Sequence, residues 1–186
     1  MHWKLYKGWS SFTITMDTLV SLELLLPRKI VERLREEAER TGASEEELLV
    51  EVLLERFGEK LDPDTEVEMH LRLSEKELME AEEFLRKGDL VQASEKAWGA
   101  AAQIVKAVAA REGRELRSHG ELHREVARIA VEAGDEEVRM LWQSAGMLHQ
   151  NFYENWLPRE MVEGNIRDVK RFVEKLRKIL EKTTTP

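Results

Sequence analysis

The first cluster of residues suited to chemistry in this chain comprises Ser94, Glu95 and Lys96, directly before Trp98. It lies in the run GDLVQASEKAWGAAAQIVKAVAA, which is typical of one long buried helix. Neighbouring residues on a helix point about 100° apart, so Glu95 and Lys96 are not expected to pair with each other. Because a core helix does not need such a cluster to fold, we predict that it contributes to a pocket between helices. A position on a solvated face is the alternative.

A second polar cluster is LHQNFYENW, from Leu148 to Trp156. His149 and Tyr153 are four residues apart and therefore share one helix face. A neutral imidazole can transfer protons near pH 7, and a buried Asn151 needs hydrogen-bond partners. We predict that His149, Asn151 and Tyr153 approach the first cluster, although a histidine on a buried helix is also often a structural residue.

His119 and His123 are also four residues apart, a spacing that can bind zinc. The intervening residues give HGELH and not the HExxH of metalloproteases, and no third ligand is evident. We therefore expect no metal and no cofactor. His119 follows the capping residue Ser118 and is predicted to face the same pocket.

Composition limits the classes of function. The chain has 186 residues, of which 42% are hydrophobic and 35% charged, and its net charge is −8. Its acidity argues against a large nonspecific nucleic-acid surface. It has no cysteine, no apolar run long enough for a membrane span and no recognisable signal peptide, so a cytoplasmic location is expected. The abundance of Glu, Lys and Arg is compatible with a thermophilic source. Met16 is an alternative start to Met1.

Residues 1–60 are predicted to form a strand-helix-helix appendage. Alternating apolar residues within Phe12–Leu26 indicate a strand, and a hairpin turning near Asp17 is the alternative. Pro27 and the Ser44/Glu47 capping box then mark the starts of two helices.

Residues 61–183 are predicted to form an antiparallel bundle of five helices, so that the fold class is mainly α. Capping residues precede each of its first four helices, and Pro158 precedes the last. The connections are short, which favours neighbouring helices that run in opposite directions.

The N-terminal strand-helix-helix pattern resembles a ribbon-helix-helix unit, in which the strands of two chains pair. The resemblance implies a homodimer. The strand face that would read DNA carries Leu19, Ser21, Glu23 and Leu25. Because Glu23 would repel phosphate and no basic or amide side chain is present, DNA binding is not expected.

The remainder of the chain resembles the archaeal paralogous-repeat family called PaREP, which is related to the nucleotide-binding HEPN domains. The resemblance runs from about Leu24 to Leu180 and is carried by three motifs. These are GDLVQASEKAWGAAAQIVKAVA, RSHGEL and LHQNFYENW. It implies a HEPN-like helix bundle.

Many HEPN domains are metal-independent ribonucleases with an Arg, four to six intervening residues and a His. His149 matches that His, but Trp142, Gln143 and Ser144 occupy the positions expected for the Arg. Arg114 and His119 fit the spacing only across a loop, which we interpret as chance. The resemblance therefore implies a site without its phosphate-binding cation.

From the polar clusters and this resemblance we predict a noncatalytic binding or interaction protein. Its polar inter-helix pocket would bind a nucleotide or an RNA end. The candidate pocket residues are Ser94, Glu95, Lys96, Trp98, His119, Asn151 and Tyr153. A ribonuclease of HEPN type that uses His149 as its catalytic residue is one alternative. A structural partner of a nucleotidyltransferase-like protein is another, because HEPN proteins are often paired with such enzymes.

Overall fold

A computed structural model describes residues 19–20 and 22–183, and over this part the chain forms seven α-helices. The helices are α1 (Arg28–Thr41), α2 (Glu45–Phe57), α3 (Pro63–Lys87), α4 (Leu90–Arg111), α5 (His119–Ala133), α6 (Glu136–Glu154) and α7 (Arg159–Thr183).

The helix boundaries follow the local signals in the sequence. The Ser44 side chain accepts a hydrogen bond from the Glu47 amide, and Glu47 accepts one in return from the Ser44 amide. Asp89 caps α4 by accepting from the Gln92 amide. Gly88 ends α3 at a φ of 83°, a conformation that side chains other than glycine rarely adopt. The predicted caps of these three helices are thus confirmed.

The predicted bundle of five helices is confirmed as α3 to α7. Its centre is α4, which packs against α3, α5, α6 and α7 and buries 15 of its 22 residues. Most of these are alanines, which allow neighbouring helices to approach closely. Large side chains such as Leu148, Phe172 and Leu176 complete the core.

The predicted strand is wrong over the part that the structure describes. Residues 19–20 and 22–27 have no regular secondary structure, and Val20 and Leu25 are exposed. A strand is stabilised by hydrogen bonds to a neighbouring strand, and none adjoins this segment among the described residues. The start of the predicted strand, residues 12–18, lies outside the described residues, as does the alternative turn near Asp17.

The two helices expected after that segment form a hairpin, α1–α2, with little burial of its own. No residue of α1 is buried, and α2 buries only Glu47 and Leu48. The apolar residues Leu53 and Phe57 of α2 are exposed. This hairpin lies over one end of a pocket in the bundle.

None of the helices in the described part of the chain combines the length and apolar character needed to cross a bilayer.

Candidate ligand-binding pocket

A cavity of about 80 Å³, called here the hairpin pocket, lies between the α1–α2 hairpin and the helices α4 and α6. Six residues that the sequence singled out line it: Glu95, Lys96, Trp98, His119, His149 and Tyr153. Helices α4, α5 and α6 contribute these side chains, and Gly42 and Ala43 of the hairpin turn lie opposite.

Four rings form a continuous cluster on the bundle side of the hairpin pocket. The His149 ring stacks on Trp98 with 4.4 Å between centroids and on His119 with 4.8 Å. Tyr153 meets the edge of His149 at 5.2 Å. A flat ligand could extend such a cluster, because aromatic faces attract other rings and cations.

Both imidazoles of this cluster are poor proton acceptors. Burial lowers the pKa of His149 to about 4, with a smaller effect from the charges of His119 and His123. Burial also lowers the pKa of His119. At neutral pH both rings are therefore uncharged and present π faces and ring nitrogens, not cations.

Glu77 of α3 is the residue of this pocket that the sequence reasoning missed. Its side chain is buried, and its Oε2 atom has no hydrogen-bond partner among the described residues. The carboxyl group lies directly on Gly99, where an added Cβ would come within 2.3 Å of Oε2. Gly99 therefore makes room for this carboxyl group.

A signal for Glu77 did exist in the sequence. Residues 67, 70, 74, 77 and 81 are all buried and recur at intervals of three and four, as expected for the inward face of α3. Three of these positions hold the polar residues His70, Ser74 and Glu77. Polar residues at core positions indicate either a hydrogen-bond network or a site, and only the structure distinguishes the two.

Glu95 adds a second carboxyl group without a hydrogen-bond partner among the described residues. It is half-buried, and burial raises its pKa. The pKa of Tyr153 is raised by burial and by the charges of Glu39 and Glu95, so these carboxylates act on the exposed edge of the ring cluster.

The two cationic side chains of the lining already have partners. Arg35 donates to Glu45 with 2.8 Å between Nε and Oε1, and Lys96 Nζ lies 3.1 Å from Glu80 Oε2. The lining carries five carboxyl groups against these two cations: Glu39, Glu45, Glu46, Glu77 and Glu95. The hairpin pocket is therefore an acidic, ring-lined cavity.

Ser94 and Asn151 do not line the hairpin pocket, contrary to our expectation. Asn151 donates to the Ser94 hydroxyl at 2.9 Å and accepts from the backbone amides of Trp156 and Leu157. The Ser94 hydroxyl donates to the Leu90 carbonyl. Because these groups satisfy one another, their role is to join the C-terminal end of α6 to α4.

Two of the residues at the positions where a HEPN ribonuclease would carry its Arg form hydrogen bonds to other side chains of the bundle. Trp142 donates its indole N–H to His123 Nδ1 at 2.8 Å, and Ser144 donates to Asp168. Arg114, which has the ribonuclease spacing relative to His119, forms ion pairs with Glu112 and Glu125. None of these three residues lines the hairpin pocket.

A second buried polar network attaches α2 to the bundle. Lys106 Nζ lies 2.6 Å from Glu47 Oε1, Gln103 donates to Glu47 at 2.8 Å, and His70 Nδ1 lies 2.7 Å from Gln103 Oε1. The sequence predicted only the capping-box role of Glu47. Glu47 forms the predicted capping box and also a buried ion pair, which sequence spacing could not reveal because Lys106 is 59 residues away.

The described part of the chain contains no group of three or more His, Cys, Asp or Glu side chains arranged to hold a metal ion. His123 accepts the hydrogen bond from Trp142, while His119 stacks on Trp98 with 5.7 Å between centroids. The two histidines of the HGELH motif thus contact different aromatic partners.

The fold and the pocket define a helical-bundle protein with a buried, ring-lined cavity. The sequence model of the archaeal PaREP1/PaREP8 family matches residues 69–173, which is more than half of the chain. The chain belongs to this family, as its central motifs predicted. The comparison with curated proteins gives no match.

A solved structure is also similar to this chain. It is a crystal structure of a protein from Sulfolobus solfataricus, with 31% sequence identity and a TM-score of 0.52. The similarity covers 58% of this chain and 96% of the other. It supports the helical fold, whereas the relation to HEPN domains and the ribbon-helix-helix resemblance stay predictions.

Proposed function

We propose that this protein is a noncatalytic binding protein and that its ligand enters the hairpin pocket with a flat ring first. A nucleobase of a nucleotide or of an RNA end is the ligand class that we infer. The observation that carries the proposal is the cluster of Trp98, His149 and Tyr153 in the same cavity as Glu77, whose Oε2 atom lacks a hydrogen-bond partner among the described residues. Rings stack on such faces, and the N–H groups of a base edge can donate to carboxylates.

The phosphate of such a ligand is expected to stay outside the hairpin pocket. Carboxyl groups outnumber cations in the lining, so a phosphate inside would be repelled. The cavity of about 80 Å³ also suits the edge of a base better than a whole nucleotide. We therefore expect nucleosides to bind at least as tightly as the corresponding nucleotides.

Calorimetric titration with nucleosides, nucleotides and short RNA oligonucleotides tests this function. Tyr153→Ala removes a ring of the pocket and should weaken binding about tenfold or more, the usual worth of one base–aromatic contact. Trp156→Ala is the matched control, because both side chains are 54% exposed and Trp156 does not line the pocket. Equal losses in the two variants would argue against the hairpin pocket as the site.

The same RNA oligonucleotides distinguish the alternatives. We expect little or no cleavage, because the pKa of His149 is about 4 and the phosphate-binding Arg is absent. Cleavage by the wild type that His149→Ala abolishes would instead support a HEPN-type ribonuclease. A chain that neither binds nor cleaves any of these ligands would favour the role of a structural partner for a nucleotidyltransferase-like protein.

A further inference from the structure

One wall of the hairpin pocket holds a buried carboxyl group, that of Glu77, with an oxygen atom that no described residue supplies with a hydrogen bond. Glu77 is 5% exposed, yet its Oε2 atom receives no hydrogen bond from any described residue. Buried polar atoms in proteins rarely lack a hydrogen-bond partner, because their lost hydration is then uncompensated. Gly99 keeps the space that this carboxyl group occupies.

The groups around Glu77 favour positive charge in a ligand. The π faces of Trp98 and His149 attract cations, and His149 itself is neutral at pH 7. The cations of the lining are already engaged: Arg35 pairs with Glu45, and Lys96 pairs with Glu80 and also feels the charge of Glu77. A neutral or anionic ligand would not balance the excess of acidic over basic side chains in the lining.

We propose that the hairpin pocket selects a ligand with a positive charge on or beside its ring, and that Glu77 accepts the charged group. This inference rests on the proposed function, since it concerns the same pocket. The ligand class is an organic cation, such as a protonated amine or a quaternised heterocycle. A nucleobase that carries a positive charge falls within this class, whereas a phosphate group does not.

The charge state of Glu77 gives this proposal a distinctive signature. Burial, with smaller contributions from the charges of Glu46, Glu80 and Glu47, raises its pKa to about 8 against the opposing charge of Lys96. Glu77 is therefore mostly protonated at pH 7. A bound cation favours the ionised form, so binding at pH 7 must release a proton, and affinity must rise with pH until Glu77 is ionised in the unliganded protein.

The other ionisable groups near Glu77 do not obscure the proton release, because they keep their charge over the pH range of the experiment. Burial would raise the pKa values of Glu46 and Glu47, but their lysine partners outweigh burial and lower them. Burial would lower the pKa of Lys96, but the nearby carboxylates outweigh burial and raise it. These three groups stay charged between pH 6 and pH 9. Glu80 is held by Lys96 on the neighbouring helix.

The test compares N1-methylnicotinamide, a permanent cation, with nicotinamide, its neutral counterpart of nearly the same shape. Calorimetry on the full chain at pH 7, in two buffers of different ionisation enthalpy, measures both affinity and proton release. We expect the cation to bind at least tenfold more tightly and to release close to one proton. At pH 9.5, where Glu77 is already ionised, the release should disappear.

Glu77→Gln preserves the size of the side chain and should abolish both the proton release and most of the preference for the cation. Gly99→Ala displaces the same carboxyl group without altering it and should reduce the preference as well. Circular dichroism checks that both variants fold. Proton release should persist in Glu95→Gln, which removes the neighbouring carboxyl group.

The outcomes separate this inference from the proposed function. If nicotinamide and nucleosides bind but the cation shows no preference or no proton release, the inference about charge is wrong and the binding function stands. If neither the two probes nor any nucleoside binds, both fail. Binding of the cation with unchanged proton release in Glu77→Gln would also overturn the assignment of Glu77.

Discussion

Among single residues, Glu125 is a buried carboxylate that two arginines stabilise. Its side chain is 3% exposed and lies between Arg114 and Arg128, which both donate to it. Burial opposes ionisation, but these hydrogen bonds outweigh burial and lower the pKa of Glu125 to about 2. The arginine that matches the ribonuclease spacing literally is thus part of a structural ion pair.

We expect Glu125→Gln to destabilise the protein in a pH-dependent way. A carboxyl group whose pKa falls from about 4.5 to about 2 on folding contributes up to about 3 kcal/mol. This contribution is complete above the unfolded pKa and is lost as the pH falls towards 2. Urea unfolding of both proteins should therefore give free energies whose difference is largest at pH 7 and shrinks steadily as the pH falls from 4.5 towards 2.

Glu132→Gln is the control for this experiment, because Glu132 pairs with the same Arg128 but its side chain is 58% exposed. Its effect should stay below about 1 kcal/mol. A difference between Glu125→Gln and the wild type that is constant from pH 7 to pH 2.5 would contradict the assignment.

At the scale of elements, the α1–α2 hairpin depends on polar contacts for its attachment. α1 buries no residue, and the buried residues of α2 are Glu47 and Leu48. Glu47 contacts Lys106 and Gln103 of α4, and Glu46 pairs with Lys76 of α3. The hairpin also covers the ligand pocket, so its docking determines whether that pocket exists.

We expect Lys106→Met to detach the hairpin without unfolding the bundle. The change leaves Glu47 buried and unpaired, which costs about 3–5 kcal/mol if the structure does not rearrange. Opening the weakly packed hairpin is the cheaper response. Hydrogen exchange should therefore become faster in α1 and α2, while the amides of the central helix α4 stay protected.

The double variant Glu47→Gln/Lys106→Met provides the matched control. The added Glu47→Gln change removes the unpaired charge and keeps a side-chain oxygen for the capping box, so slow exchange in α2 should return. Exchange in α2 that does not change in the single variant would show that Lys106 is not essential for docking.

At the scale of the whole molecule, the hairpin exposes apolar side chains that a monomer would leave in water. Leu53 and Phe57 share one face of α2 and are 43% and 73% exposed. Large exposed apolar patches commonly mark interaction surfaces. We propose that this face of α2 pairs with the same face of a second copy of the chain. The predicted homodimer would then form through α2, since the described part of the N-terminal segment is not a strand.

Light scattering at micromolar concentration should give twice the 21.7 kDa mass of one chain. Phe57→Glu should weaken the dimer at least tenfold, because it places a charge in an apolar interface. Val131→Glu is the control, since Val131 is 80% exposed but lies on α5 of the bundle. A monomer in the wild type, or equal weakening by both variants, would contradict this prediction.

Local signals in the sequence were enough to predict the helices of this protein and its family. Capping residues such as Ser44, Asp89 and Gly88 act on neighbours within a few positions, so local spacing was sufficient to locate helix ends. The short connections between these helices likewise predicted a bundle. The strand prediction failed because alternation describes a surface, whereas a strand requires a partner that the sequence does not specify.

Which polar residues stabilise the fold and which line the pocket could not be predicted from the sequence, because it depends on how the helices pack. Ser94 and Asn151 satisfy each other, Glu47 pairs with a lysine 59 positions away, and Glu77 is left without a partner beside the ring cluster. These outcomes depend on which helices pack together and on the space that Gly99 provides. Spacing along one helix fixes the face on which a side chain lies, but hydrogen bonding and burial depend on the helix that packs against that face.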